Sequence, residues 1–248
     1  MISRGILKDI SFHQGNADLS RYPFSLPFIK DLDKLKIDAE VTFFVGSNGT
    51  GKSTLLEAIA VASGFNPEGG TVNFNFNTRS SHSPLHQHIR TSRGIERHKD
   101  GFFLRGESYF NLGTEIERLD EDFPNLPPII DSYGGKSLHE QSHGESFWAL
   151  FMHRFSGNGF YLLDEPESAL AVERQMAMLV RMRQLVLTNS QFIIATHSPL
   201  LLAYPGALIY EFGPQGIQQK NYQETLLYQQ YSTFFKDPAL IVKQLLNR

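Results

Sequence analysis

Eight consecutive residues, Gly46, Ser47, Asn48, Gly49, Thr50, Gly51, Lys52 and Ser53, form the pattern G-x-x-x-x-G-K-S. An apolar run at 41–45 (VTFFV) precedes it and a helical stretch at 54–61 (TLLEAIAV), opening on Thr54, follows it. That strand, loop and helix order is the context in which such a loop cradles phosphates. A glycine-rich turn can aim several backbone N–H groups at phosphate oxygens, and the next helix adds its positive N-terminal end. Lys52 is expected to reach the β- and γ-phosphates of a nucleotide. The Ser53 hydroxyl is expected to supply one ligand to a magnesium ion bridging the same two groups.

A second constellation is 159–167 (GFYLLDEPE), four apolar residues running into acids and a proline. It reads as a buried strand whose C-terminal end, beside the phosphate loop, carries Asp164 as a magnesium ligand. Glu165 comes next and is suited to orient and polarise an attacking water. A third strand, 191–196 (QFIIAT), leads into His197. Parallel strands present their C-terminal ends together, so His197 is expected at the same sheet edge, within hydrogen-bonding reach of the γ-phosphate.

The rest of the chain must position these groups. Its 248 residues allow one α/β domain with a subdomain, and 41% hydrophobic, 20% charged residues and a net charge of −3 are ordinary for a globular protein. Such a charge argues against a chain coated with nucleic acid. No apolar run is long enough to cross a bilayer and the first residues lack a signal-peptide core, so a soluble, cytoplasmic chain without direct membrane insertion is expected. The absence of cysteine excludes disulfides and thiolate metal sites.

Strands are expected at 2–12, 41–45, 71–78 and 102–105, and helices from Ser53 to near Gly64 and from Tyr109 to Leu119. A polar loop rich in Ser, His and Arg follows 78. In it His82, His86 and His88 have metal-compatible spacing but sit around a proline. Arg90, Arg93, Arg97, His98 and Lys99 form a basic stretch that a nucleic-acid backbone or plain solvent would suit.

The order of phosphate loop, Asp-Glu strand and Thr-His strand resembles the ATP-binding cassette (ABC) ATPases over roughly residues 2–212. Residues 141–146 (QSHGES), about 20 positions before Asp164, resemble a degenerate L-S-G-G-Q signature opening a helix. Gln141 replaces Leu, His143 replaces the first Gly, and Glu145 replaces Gln, as is common in SMC-type DNA-repair heads. About 90 residues separate Lys52 from Ser142 and contain no coiled-coil heptads. The closest flavour is therefore the small predicted ATPases related to SMC-type heads, without the coiled coil.

The resemblance implies an α/β fold of ABC P-loop type, with a mostly parallel central sheet flanked by helices, an antiparallel β portion and a helical signature subdomain. Residues 1–248 would form one domain, with 71–158 the inserted subdomain and 213–248 a C-terminal extension. ATP and Mg2+ would be bound by residues 46–54, with Ser53, Asp164 and, in place of a Q-loop glutamine, Glu107 near the metal. Ser142, Gly144 and Glu145 would face the γ-phosphate held by a second copy, and Lys52, Glu165 and His197 would carry catalysis. Glu167, Ser168, Ala169 and Leu170 match the start of a D-loop, with Ala171 where an acid is usual. One ring among Tyr22, Phe24 and Phe28 is a candidate to stack on adenine. The implied function is an ATP-hydrolysing head that dimerises around two MgATP and moves an unidentified protein partner. A transporter ATPase subunit, or a slow nucleotide-gated module acting on nucleic acid or in a defence system, is the alternative.

Overall fold

The apolar runs become neighbouring strands of one sheet. The computed structural model describes residues 5–72, 83–95, 97–105 and 109–247. Its strands are β1 (Leu7–Phe12), β2 (Leu35–Lys36), β3 (Val41–Gly46), β4 (Ile89–Arg93), β5 (Asp100–Arg105), β6 (Gly159–Asp164), β7 (Gln191–Ala195), β8 (Leu208–Gly213) and β9 (Gly216–Lys220). The helices are α1 (Lys52–Ala62), α2 (Tyr109–Asp122), α3 (His143–Ala149), α4 (Val172–Leu187), α5 (Leu226–Lys236) and α6 (Pro238–Leu246).

The main sheet has the order β5-β6-β7-β3-β8-β9. Its first five strands are parallel and β9 closes it as an antiparallel edge. The strands read as continuous apolar runs because both faces are covered. Phe43, Tyr161, Leu163, Phe192 and Ile194 pack on one face with Phe147, Phe151, Met178 and Met182. Phe44, Phe160, Leu162 and Ile193 pack on the other with Leu55, Leu56 and Ile59 of α1. The second face also receives a small antiparallel sheet, order β2-β1-β4, through Leu7 and Ile10.

Gln191 joins the two sheets. Its buried amide accepts from Leu7 N (2.7 Å) and donates to the carbonyls of Leu7 (2.9 Å), Ile37 (2.7 Å) and Ala39 (3.0 Å). Burying an amide is costly unless its hydrogen bonds are made, and here they are.

Several sequence expectations shift. The expected strand at 2–12 spans Leu7–Phe12 in the described residues. The second half of the expected loop after 78 contains β4, whose one buried residue, Ile89, leaves no alternation to read. Residues 73–78 of another expected strand, and Glu107, lie outside the described residues. Between 150 and 154 the chain continues α3 as one π-helical turn.

Candidate functional site

Residues 46–51 turn from β3 into α1 through backbone that other residue types could not adopt. Gly46 has φ 144°, and a Cβ there would stand 2.3 Å from the Phe212 carbonyl oxygen; Gly51 has φ 95°, and a Cβ there would meet the Phe28 ring at 2.4 Å. Gly51 caps α1 without a side-chain bond, so the first N–H groups of α1 keep no internal partner and face the loop. Lys52 is buried, 4% exposed, and its Nζ donates to the carbonyls of Gly46 (2.8 Å) and Ser47 (3.2 Å). Burial pushes its pKa down, against the pull of Glu165, Asp164 and Glu167. Thr50 Oγ1 donates to Ser47 O (2.8 Å), while Ser47, Asn48 and Gly49 are exposed at the loop tip.

The strand order sets β6 one strand away from β3, across β7. Ser53 Oγ donates to Asp164 Oδ1 at 2.9 Å. Burial pushes the Asp164 carboxyl up to about 6, with the Glu165 charge adding to the rise and the Ser53 bond, Arg105 and Lys52 opposing it. A hydroxyl and a carboxylate side by side are hard oxygen donors of the kind magnesium takes, and a carboxylate short of partners gains from a cation. The residues present fit such an ion.

Glu165 sits at φ 48°, ψ 53°, a left-handed conformation that costs a non-glycine residue roughly 1–2 kcal/mol. Its N–H donates to Ala195 O (2.9 Å), which pins the turn after β6 to the end of β7. Glu165 Oε1 lies 3.4 Å from His197 Nε2, which is buried and has no hydrogen-bond partner among the described residues. Burial, then the Lys52 charge, push the His197 pKa below its ordinary value against the pull of Glu165, which favours the neutral ring. A neutral imidazole protonated at Nε2 can donate to an oxyanion.

A cavity of about 290 Å³ beside the loop is lined by Asn48, Gly49, Lys52, Ser53 and Glu165 together with Tyr22. Phe28 is in the core, edge-on to Phe212, and Phe24 packs on His88, whereas Tyr22 is 66% exposed and its hydroxyl lies 3.0 Å from Thr54 Oγ1. A second cavity, about 390 Å³, touches Ser47, Thr50 and His197.

Ser142, Gly144 and Glu145 line neither cavity. Ser142 caps α3 in a capping box: its Oγ donates to Glu145 Oε2 (2.6 Å) and its N–H to the same oxygen (3.0 Å). Its hydroxyl proton is therefore committed within its own chain. Gly144 lies against the turn after β6, where a Cβ would come within 2.5 Å of Ala169 O. Ala171 caps α4 with no side-chain bond.

Of the other sequence candidates, His82 lies outside the described residues. His86 and His88 each place Nδ1 2.9 Å from a backbone carbonyl, and no metal-binding group of three acidic or histidine side chains occurs among the described residues. His98 stacks on Phe65, while Arg90, Arg97 and Lys99 are exposed. No described helix is long and apolar enough to cross a membrane. Sequence reasoning placed Glu167 in the D-loop match but did not foresee its bond to the His197 turn. Its Oε1 accepts the His197 backbone N–H, and Oε2 is buried without a partner among the described residues.

The family model for the ABC transporter matches residues 34–168. No curated protein matches the chain. Two similar solved structures are a metal-chelate type ABC transporter in an inward-facing conformation and the SMC head domain from Thermotoga maritima. The first has 15% identity and a TM-score of 0.48, covering 92% of this chain and 89% of that one. The second has 16% identity and a TM-score of 0.41, covering 76% of this chain and 92% of that one.

Proposed function

From the premise that this chain belongs to the ABC transporter family of nucleotide-binding P-loop ATPase domains, we propose that it is an ATP-hydrolysing head that dimerises head to tail around two MgATP and moves a protein partner. The observation that carries this reading is the 2.9 Å bond between Ser53 and Asp164, which joins the loop hydroxyl to the acidic strand end with Lys52, Glu165 and His197 around it.

In this reading residues 46–54 wrap the phosphates, and Tyr22 offers its ring to the base from the rim of the smaller cavity. Ser53 and Asp164 hold magnesium, with Glu107 the third expected contributor. Bound there, the ion would supply positive charge that offsets the phosphate charge. Lys52 leaves the Gly46 and Ser47 carbonyls to bind a phosphate oxygen and offsets charge in the transition state. Glu165 accepts a hydrogen bond from the attacking water and aims its oxygen at the γ-phosphorus as the bond to the β–γ bridging oxygen breaks. Neutral His197 donates to a γ-phosphate oxygen. Ser142, Gly144 and Glu145 of one copy face the γ-phosphate of the other, which requires the Ser142 hydroxyl to turn from Glu145. Hydrolysis removes the shared phosphate and the heads part.

Light scattering of wild type and Glu165→Gln, each without nucleotide and with MgATP, tests the reading. A mass that doubles only with MgATP, most firmly in the variant, is expected; a variant that stays monomeric at saturating MgATP overturns the sandwich. The commitment of Ser142 to Glu145 favours a second reading, a slow nucleotide-gated dimerisation module. In that case ATP closes the dimer but turnover stays slow even with a partner.

A further inference from the structure

The family pattern has an acid at the end of the D-loop, and this chain has Ala171 there. The structure offers a different connection between this segment and the histidine turn. Glu167, on the single 3₁₀ turn Pro166–Ala169, reaches across to accept the backbone N–H of His197. Gln175, in the first turns of α4, makes a second tie. Its Nε2 donates to Leu170 O (2.9 Å) and its Oε1 accepts from Ser198 Oγ (2.7 Å). Ser198 Oγ in turn accepts from the N–H groups of Leu200 and Leu201, each at 3.2 Å. One amide and one hydroxyl thus fix the path of the chain on both sides of the two turns.

From its other side the same histidine turn is held to the phosphate-loop strand, since Thr196 N donates to Phe44 O (3.0 Å). The first turn is also gripped from outside. Gly144 lies so close to Ala169 O that no side chain fits between them. Contacts therefore run without a gap from the signature segment, through the turn at 166–169, to the backbone of His197. Burial pushes the Glu167 carboxyl up against the hydrogen bonds it accepts, and one of its oxygens is buried without a partner. A carboxylate held in that state is costly to a fold.

We propose that Glu167 and Gln175 are positioning residues that lock the His197 turn to the segment after Asp164, so that movement of the signature segment in one head is passed to that head's own His197. The proposal rests on the role given above to His197 and the signature segment, and it deepens that reading. Each head would then sense, through Gly144 and Ala169, whether it is engaged with its partner's nucleotide, and would set its own histidine accordingly.

Steady-state turnover of MgATP and backbone amide exchange, measured on Glu167→Ala, Glu167→Gln, Gln175→Ala and His197→Ala in the full chain, test this. In Glu167→Ala, kcat is expected to fall about tenfold or more with KM within about twofold, as when a charge-assisted hydrogen bond is lost. Glu167→Gln keeps an accepting oxygen and should recover most of the rate. Because Glu167 acts through His197, adding Glu167→Ala to His197→Ala should cost less than about twofold more. The His197 amide should exchange at least about tenfold faster in Glu167→Ala but not in Glu167→Gln, with β3 unchanged. If Glu167→Ala does not fold, Gln175→Ala is expected to show the same loss of protection at Ser198 and Leu201. Additive losses, or unchanged exchange at His197 and Ser198, overturn the proposal. A wild-type chain that does not turn over ATP, or a His197→Ala variant with full rate, sinks the proposed function instead, and the exchange result then decides the lock on its own.

Discussion

Two half-buried carboxylates at opposite ends of adjacent strands are treated in opposite ways. Asp100, opening β5, accepts from Gly101 N (2.8 Å), Arg154 Nη1 (2.8 Å), Ser156 N (3.1 Å), Ser156 Oγ (2.9 Å) and the Tyr161 hydroxyl (2.7 Å). Burial alone would push its pKa up, but Arg154 and these hydrogen bonds outweigh it and hold the group below the ordinary carboxylate value. Asp164, closing β6, accepts among the described residues one side-chain bond, from Ser53, and is pushed up to about 6. Backbone geometry repeats the contrast. Left-handed positions before β6 and β7 are filled by Asn158 and Asn189, which tolerate that conformation, whereas after β6 the same conformation falls on Glu165. The N-terminal edge is built to be satisfied. The C-terminal edge retains charge and strain that a phosphate and a cation could relieve, as expected where a site is set up at the cost of stability.

Neutralising each acid in turn would break or sharpen the contrast most. If the C-terminal edge is the site, Glu165→Gln should lower ATP turnover by about 10²–10⁴-fold. Asp164→Asn should lower turnover by at least roughly a hundredfold, yet melt no lower than wild type in calorimetry, because it removes a charge that burial disfavours. A lower melting point for Asp164→Asn would mean that its charge is as well compensated as that of Asp100. Asp100→Ala should do the reverse. It leaves the Arg154 guanidinium without its partner and should cost about 3–5 kcal/mol in urea unfolding, with MgATP affinity of the folded fraction unchanged.

The pH dependence of melting, measured without metal or nucleotide, separates the same two groups by sign. The Asp164 pKa is raised in the folded chain, from 3.8 to about 6. The folded state therefore holds that proton more tightly than the unfolded state, and stability falls as pH rises from about 4 to 6. The advantage of Asp164→Asn over wild type should grow across that window, to on the order of 2 kcal/mol, and then level off. The Asp100 pKa is lowered, so its contribution is present above 3.8 and is lost as pH falls through its folded value. The penalty of Asp100→Asn should thus be constant from pH 5 upward and shrink only in stronger acid. Parallel curves for the two variants would mean that the edges do not differ in electrostatics.

The two edges were not equally legible. That residues 46–53, Asp164, Glu165 and His197 would share one sheet edge could be read because each follows an apolar run buried on both faces, and parallel strands with a common direction must deliver their ends together. The bonds from His197 N to Glu167 and from Ser198 Oγ to Gln175 join residues 30 and 23 positions apart, and nothing local in either segment announces them. Tyr22 could not be set apart from Phe24 and Phe28 until the structure left it exposed at a cavity rim, with Phe24 packed on His88 and Phe28 in the core. Ser142 is a case where two readings share one residue. A helix-opening serine followed three positions later by an acid serves a signature motif and a capping box equally well, and the structure has the box formed. Asp100 went unread because a lone acid before an apolar strand has no pattern until Arg154, Ser156 and Tyr161 surround it.

The smallest expected effect concerns backbone alone. If strain is stored at the C-terminal edge, Glu165→Gly should stabilise the chain by about 0.5–1 kcal/mol, because glycine takes φ 48° without a Cβ penalty. Part of that gain is offset by the wider freedom of glycine in the unfolded chain. Asn158→Gly, at φ 56° before β6, makes the matched control, since asparagine already tolerates the left-handed region and little strain is there to release. The two variants should shift the urea midpoint differently at constant m, Glu165→Gly upward and Asn158→Gly not at all or slightly downward. Equal shifts would mean that the turn after β6 is no more strained than the turn before it, and the left-handed Glu165 would then be a consequence of the bond from its N–H to Ala195 O. A selective gain would tie the conformation to the position its carboxylate must take beside His197.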